Sequence, residues 1–343
     1  MSKIIDLRSD TVTKPSPAMR QVMAEAEVGD DVFESDPTVK KLEYRTAEIL
    51  GKEAALYVSS GTMANQISLR TLCSPGDEVI CERMSHIVNY EVAAASALSG
   101  IMLSAYDGNR GRLTVQQIKE AIRPANIHNP ITKIVALENT HNRVGGAVLD
   151  PVYIAEIEAI VRDAGLGFYL DGARIWNAAV ALNVEPGKIA APFDMVSVCF
   201  SKGLGAPVGS AICGSAQNIK KARRIRKMFG GGMRQVGIIA AGALYALENN
   251  RKRLQDDHDL AKILANGLQK LDHIKIDPNT VETNIVIFET DIPVESLLKQ
   301  AEEFGLLMGP FGPRKIRIVT HLNVNRDNIN SALDILAKVV SAN

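Results

Sequence analysis

Seven short runs rich in apolar and β-branched residues, several of them separated by stretches of helical periodicity, constrain this chain more than any other feature. The runs are "AALYVSSG", "DEVICE", "GIMLSAY", "TKIVALEN", "LGFYLDGAR", "DMVSVCFSK" and "VGSAIC". Helical patterns fall between several of them, at 64–72, 88–98, 115–122 and 151–164. Such alternation predicts βαβ units and a mostly parallel seven-stranded sheet with helices on both faces. The unbroken apolar run "MVSVCF" fits a strand buried on both sides. After about residue 215 the rhythm stops. Helical patterns run from Gln217 to about Lys227 and from Arg234 to about Lys270. A second α/β pattern then closes the chain, with "TNIVIFET" and "KIRIVTHL" as strands and 325–341 as a helix. The expectation is an α/β protein with a large domain over 1–245 and a small C-terminal α/β domain over 246–343.

Composition excludes several classes of function. At 343 residues, 46% hydrophobic and 23% charged, the chain can bury a sizeable core and does not read as disordered. Lys+Arg and Asp+Glu both number 39, so no net field draws it to nucleic acid or to a membrane surface. The basic stretch "KKARRIRKMF" has no aromatic interleaving and reads as a solvated or subunit-facing helix. The start, "MSKIIDLRSD", becomes charged too early for a signal peptide, and the longest apolar run is shorter than the roughly 20 residues a membrane span needs. Cys73, Cys81, Cys199 and Cys213 lie far apart. They suit buried thiols in a reducing cytoplasm better than disulfides or a metal site, so no metal is expected.

In open parallel sheets, ligands gather at the carboxyl ends of the strands. Three polar features fall there: Asp171 closes "LGFYLDGAR", Lys202 closes "DMVSVCFSK", and Gly61-Thr62 follows "AALYVSS" as a helix begins. Taken singly, Thr62 reads as an N-cap, Asp171 as a cap or turn residue, and Lys202 as a solvated loop residue. Together they match one chemistry. A desolvated lysine amine is a nucleophile toward an aldehyde. Pyridoxal phosphate needs that lysine, a carboxylate at its pyridine nitrogen, and an anion site such as a helix N-terminus for its phosphate. On this reading Gly203, Gly205 and Gly209 around Lys202 leave room for the flat cofactor.

The stretches "IDLRSDTVTKPSPAM", "VGDDVFESDPTV", "GKEAALYVSSGTMAN", "LENTHN", "DGARIWNA", "CFSKGLGAPVGS", "RKMFGGGMRQVGIIAA" and "IRIVTHLNV" resemble the L-threonine aldolases over nearly the whole chain. The resemblance implies the pyridoxal-phosphate-dependent aspartate-aminotransferase-like fold and cleavage of L-threonine or L-allo-threonine to glycine and an aldehyde. It implies that Lys202 carries the cofactor, Asp171 pairs with its pyridine nitrogen, His86 stacks on its ring, and Gly61 and Thr62 hold its phosphate. Arg234 would reach the phosphate of a neighbouring subunit's cofactor, in a homotetramer built from dimers. Ser9, Arg174 and Arg317 would bind the substrate carboxylate, a planar anion suited to guanidinium forks. His128 would sit near the substrate hydroxyl, and the base is His86 or His128, directly or through water. His141 is left unassigned. Two departures from the family pattern stand out. Phe33 replaces a common tyrosine, and "NYEVAAASA" replaces a glycine pair with bulkier residues on the helix carrying His86. A related β-eliminating lyase or aminotransferase would share Lys202 and Asp171, and product identity separates these activities.

Overall fold

A computed structural model describes residues 4–342. Its strands are β1 (Ile5–Asp6), β2 (Ala54–Val58), β3 (Asp77–Glu82), β4 (Met102–Tyr106), β5 (Ile131–Glu138), β6 (Gly167–Gly172), β7 (Met195–Cys199) and β8 (Ser210–Gly214). These are followed by β9 (Ile274–Lys275), β10 (Ile285–Thr290), β11 (Leu306–Leu307), β12 (Gly309–Gly312) and β13 (Lys315–Val319). The seven expected runs form one sheet in the order β2-β8-β7-β6-β5-β3-β4. All its pairings are parallel except those of β8, which runs antiparallel to both β2 and β7. Strand β7 is buried at every residue, as its continuous apolar character requires.

Separate apolar clusters cover the two faces of this sheet. One contains Val135, Phe168, Leu170, Val196 and Val198; the other contains Leu56, Val79, Ala136, Tyr169 and Ile212. A third core belongs to the C-terminal unit, a sheet of order β12-β13-β10-β9 backed by helices. Ile5 and Leu7 are part of that third core, because β1 pairs in parallel with β11. The N-terminal segment is thereby stapled to the C-terminal unit before it crosses to the large sheet.

Two helical expectations are corrected. The pattern over 88–98 is two short helices, His86–Asn89 and Ala94–Ser99, separated where Val92 and Ala93 adopt φ of 53° and 55°. The pattern from 234 to 270 is likewise two helices, Gly237–Asn249 and Leu254–Leu268. Elsewhere the correspondence is close, with helices at Gly61–Leu72, Pro151–Asp163 and Arg326–Ser341. The basic stretch lies on the helix Ala216–Met228, where Arg226 is buried against Asp31 at 2.6 Å and Arg223 pairs with Glu43 at 3.0 Å.

Candidate active site

The parallel strands and β2 point their carboxyl ends to one edge of the large sheet, and the candidate residues collect there. Asp171 is buried near the end of β6, with its Oδ1 accepting the Ala173 N–H at 3.1 Å. Lys202 follows β7, is half-buried, and its side chain makes no hydrogen bond or ion pair among the described residues. Its charge is felt at both Asp10 and His86, which places it between the N-terminal segment and the helix that begins at His86.

The helix Gly61–Leu72 opens at the carboxyl end of β2. Ser60 is its N-cap, accepting the Met63 N–H at 3.1 Å, so Thr62 is not the cap. The Gly61 and Thr62 amides, in the first turn, have no intrahelical acceptor and carry the positive end of the helix dipole. A Cβ on Gly61 would stand 2.9 Å from Cys199 Sγ, so only glycine lets the helix start this close to β7. The glycines after Lys202 have a different cause from the one expected. Gly205 and Gly209 have φ of +77° and +112°, and Cβ atoms there would strike Leu322 and Tyr57; a Cβ on Gly203 would meet Leu254. They serve turn geometry and protein packing, not an open cradle.

A buried polar network joins three of these elements. His86 donates its backbone N–H to Glu138 at 2.7 Å, and its Nδ1 lies 2.7 Å from Glu91 Oε1. Asn65 Nδ2 donates to Glu91 Oε1 at 2.6 Å and to Asp171 Oδ2 at 2.7 Å. Asn65 Oδ1 accepts from the Tyr169 and Ser197 hydroxyls at 2.6 and 2.8 Å, and Gln66 also donates to Glu91. Burial alone would lower the pKa of His86. The Glu91 hydrogen bond and the Asp171 charge override it and raise the value above that of free histidine.

The carboxylate-binding candidates are assembled by the N-terminal segment. Arg174 is buried and held bidentate by Asp10, through Nε to Oδ2 and Nη2 to Oδ1, both 2.8 Å. Burial would raise the Asp10 pKa, but the Arg174 guanidinium holds it down at about 2. Arg317 on β13 donates to Asn142 Oδ1 at 2.9 Å and to the Arg8 carbonyl at 3.3 Å, and forms no ion pair among the described residues. Burial and the neighbouring Arg174 charge lower its pKa. Asn142 also accepts from Arg174 at 3.3 Å, so one amide oxygen bridges the two guanidinia. Ser9 caps the turn at Asp10–Val12 within the same segment. Asp10, Asn65, Glu91 and Asn142 were not singled out in the sequence, although Asp10 and Asn142 stand inside "DLRSDTVT" and "LENTHN".

Two candidates share no hydrogen bond or ion pair with these residues. His128 is exposed in the loop before β5, its N–H donating to Asn126 Oδ1 at 2.9 Å. Site residues gather at the other end of β5, a strand length of roughly 25 Å away. Arg234 is 57% exposed and turned to Asp30 at 2.9 Å, beside the exposed Phe33. His141 is fully buried 3.1 Å from Glu82.

The donor set fits pyridoxal phosphate on structural grounds: an unpartnered lysine amine, a buried carboxylate with two other hydrogen-bond donors already placed, and free helix N-terminal amides beside an obligatory glycine. Comparison with known proteins agrees. Residues 6–291 match the family model described as "Beta-eliminating lyase". A low-specificity L-threonine aldolase of Arabidopsis thaliana is 42% identical over 96% of this chain and 94% of its own. The low specificity L-threonine aldolase of Escherichia coli K12 is 41% identical over 95% and 96%. Among solved structures, the threonine aldolase of Leishmania major superposes with a TM-score of 0.83 at 22% identity, covering 97% of this chain and 98% of that one.

Proposed function

The chain belongs to the β-eliminating lyase family and, within it, to the low-specificity L-threonine aldolases; from that premise we propose that it uses pyridoxal phosphate to cleave L-threonine, L-allo-threonine and related L-β-hydroxy-α-amino acids to glycine and an aldehyde. The observation that carries the reading is a half-buried guanidinium with no ion pair among the described residues, Arg317, joined through the Asn142 amide oxygen to Arg174, three residues after Asp171. A cation so placed is completed by the carboxylate of an amino acid.

When bound, pyridoxal phosphate supplies the electron sink that accepts the electrons of the breaking Cα–Cβ bond. Lys202 would hold it through its aldehyde, Asp171 through its pyridine nitrogen, and the Gly61 and Thr62 amides through its phosphate. Asp171 would also keep that nitrogen protonated, which sustains the sink. Arg174, fixed by Asp10, and Arg317, fixed by Asn142, clamp the substrate carboxylate with Ser9. Two guanidinium groups donating to one carboxylate hold it in place and so orient the rest of the amino acid. His86, turned by Glu91 and seated on Glu138, is the group on this chain positioned to take the β-hydroxyl proton.

Further parts of this reading concern the assembly. The exposed His128, at the far end of β5, and the exposed Arg234, turned to Asp30, are free to serve another subunit's site, which favours a homotetramer built from dimers. The four free buried cysteines favour a reducing cytoplasm, and no described helix is long and apolar enough to cross a membrane.

The test is an assay of purified protein with L-threonine, L-allo-threonine and L-phenylserine. Glycine and the matching aldehyde are expected. Borohydride should fix the cofactor on Lys202, and Lys202→Ala should abolish turnover. Pyruvate with ammonia as products would assign β-elimination instead.

A further inference from the structure

Arg317 lacks a carboxylate partner among the described residues, so something else must hold it ready for one. Two contacts are hydrogen bonds to single oxygens. The third is the ring of Phe311, whose centroid lies 5.7 Å from the Arg317 guanidinium carbon. The other ring contact of Phe311 is with a second guanidinium, that of Arg143 at 5.3 Å. Arg143 in turn stands 5.6 Å from the Tyr90 ring and donates from Nη1 to the Tyr90 hydroxyl at 3.2 Å. Tyr90 stacks on His86, with centroids 5.3 Å apart and planes inclined by 29°. The buried Nε of Arg143 has no acceptor, so its stacked rings and a single hydrogen bond hold it. A continuous ladder, His86–Tyr90–Arg143–Phe311–Arg317, thus runs from the proton-accepting end of the site to the carboxylate-binding end and crosses to the C-terminal unit.

The backbone explains why Phe311 faces its neighbours. In the pairing of β12 with β13, Pro310 lies opposite Ile316 and Gly312 opposite Lys315, leaving Phe311 as the extra residue of a bulge. A bulge re-aims the side chain it carries. Gly312 takes φ of +153°, a value closed to other residues, and Pro310 and Pro313 stiffen both sides. The bulge presents this ring to the Arg143 and Arg317 guanidinium groups.

We propose that Phe311 is the positioning residue for Arg317, a π platform shared with Arg143 that presets the carboxylate-binding guanidinium before substrate arrives. The proposal rests on the aldolase reading of the site. It predicts that substrate capture, not bond cleavage, depends on the ladder. A cation–π contact in a partly desolvated site is strong enough for roughly a tenfold effect. In the holoenzyme, Phe311→Leu should weaken glycine binding, measured by calorimetry, about tenfold and raise the KM for L-threonine equally, with kcat and bound-cofactor absorbance unchanged. Phe311→Tyr should restore both, because it restores the ring. Arg143→Ala, on a different element, should weaken glycine binding about threefold. Glycine has the carboxylate but no β-substituent. A variant that alters L-threonine KM and leaves glycine affinity intact would therefore assign Phe311 to side-chain contact and overturn the proposal. Loss of kcat with glycine affinity unchanged would overturn it too. Should Phe311→Leu fail to fold, unchanged glycine binding in Arg143→Ala overturns the proposal in its place. A wild-type protein that binds no glycine would instead refute the aldolase reading.

Discussion

Glu91 is a buried carboxylate with no cationic partner other than His86 among the described residues, and it shares the Asn65 amide with Asp171. Two carboxylates bridged by one amide nitrogen in a buried site would be costly unless a positive charge lay close to each. His86 supplies it for Glu91, and a bound pyridinium would supply it for Asp171. The consequence is a histidine with raised pKa, because its charged form is favoured over the neutral one despite burial. A base must be neutral to accept a proton, so this raised value sets the acid limb of the rate profile. Glu91→Gln removes the charged acceptor and leaves burial opposed by the Asp171 charge, so the pKa falls. The acid limb of kcat/KM for L-allo-threonine should therefore move to lower pH in this variant. A limb that stays in place would show that His86 is not the base. The pairing was hidden in the sequence because Glu91 follows Tyr90 in a segment that reads as one amphipathic helix. Only the interruption after it turns the carboxylate back onto His86.

That interruption is itself a feature at the scale of elements. Val92 and Ala93 occupy the left-handed region, which costs a non-glycine residue roughly 1–2 kcal/mol, and a β-branched one most of all. The departure noted in the sequence falls in this segment, which is a site of stored backbone strain. Val92 is 94% exposed and gains nothing from packing in return. Val92→Gly and Ala93→Gly should each stabilise the protein by about 1 kcal/mol after the extra unfolded-state entropy of glycine is subtracted. Chemical denaturation of the two variants measures this; equal or lower stability in both would show that the segment relaxes at no cost. Strands were legible because β-rich apolar runs depend on local composition, as the unbroken burial of β7 shows. The break at 250–253, between the helices ending at Asn249 and starting at Leu254, was not. "ENNRKRLQDD" is polar without glycine or proline, and Leu254, which opens the second helix against Gly203, has no local mark of that long-range contact. Asp10 was illegible for a similar reason. Its partner Arg174 lies far along the chain, and nothing local marks either as half of a buried pair.

At the scale of the whole molecule, the site draws on parts distant in sequence. The N-terminal segment brings Ser9 and Asp10, the large sheet brings Asp171, Arg174 and Lys202, and the C-terminal unit brings Arg317. β1 holds the first part to the last through its pairing with β11. The proposed reading leaves one role outside this set, a second contact to the cofactor phosphate. Arg234 follows three glycines, is exposed, and has its side chain engaged only by Asp30 among the described residues. The segment of Asp30 also carries the exposed Phe33. An exposed arginine beside an exposed aromatic suits the edge of an interface, and closed two-fold symmetry would place each copy's Arg234 at its partner's site. Mixing two impaired proteins, Lys202→Ala and Arg234→Ala, tests this arrangement. In a hybrid dimer one site receives both lesions and the other receives neither. Random re-association makes about half the dimers hybrid, so activity should recover to about a quarter of wild type. If Arg234 served its own subunit, every site in the hybrid would carry one lesion, and mixing would restore nothing even with hybrids shown to form.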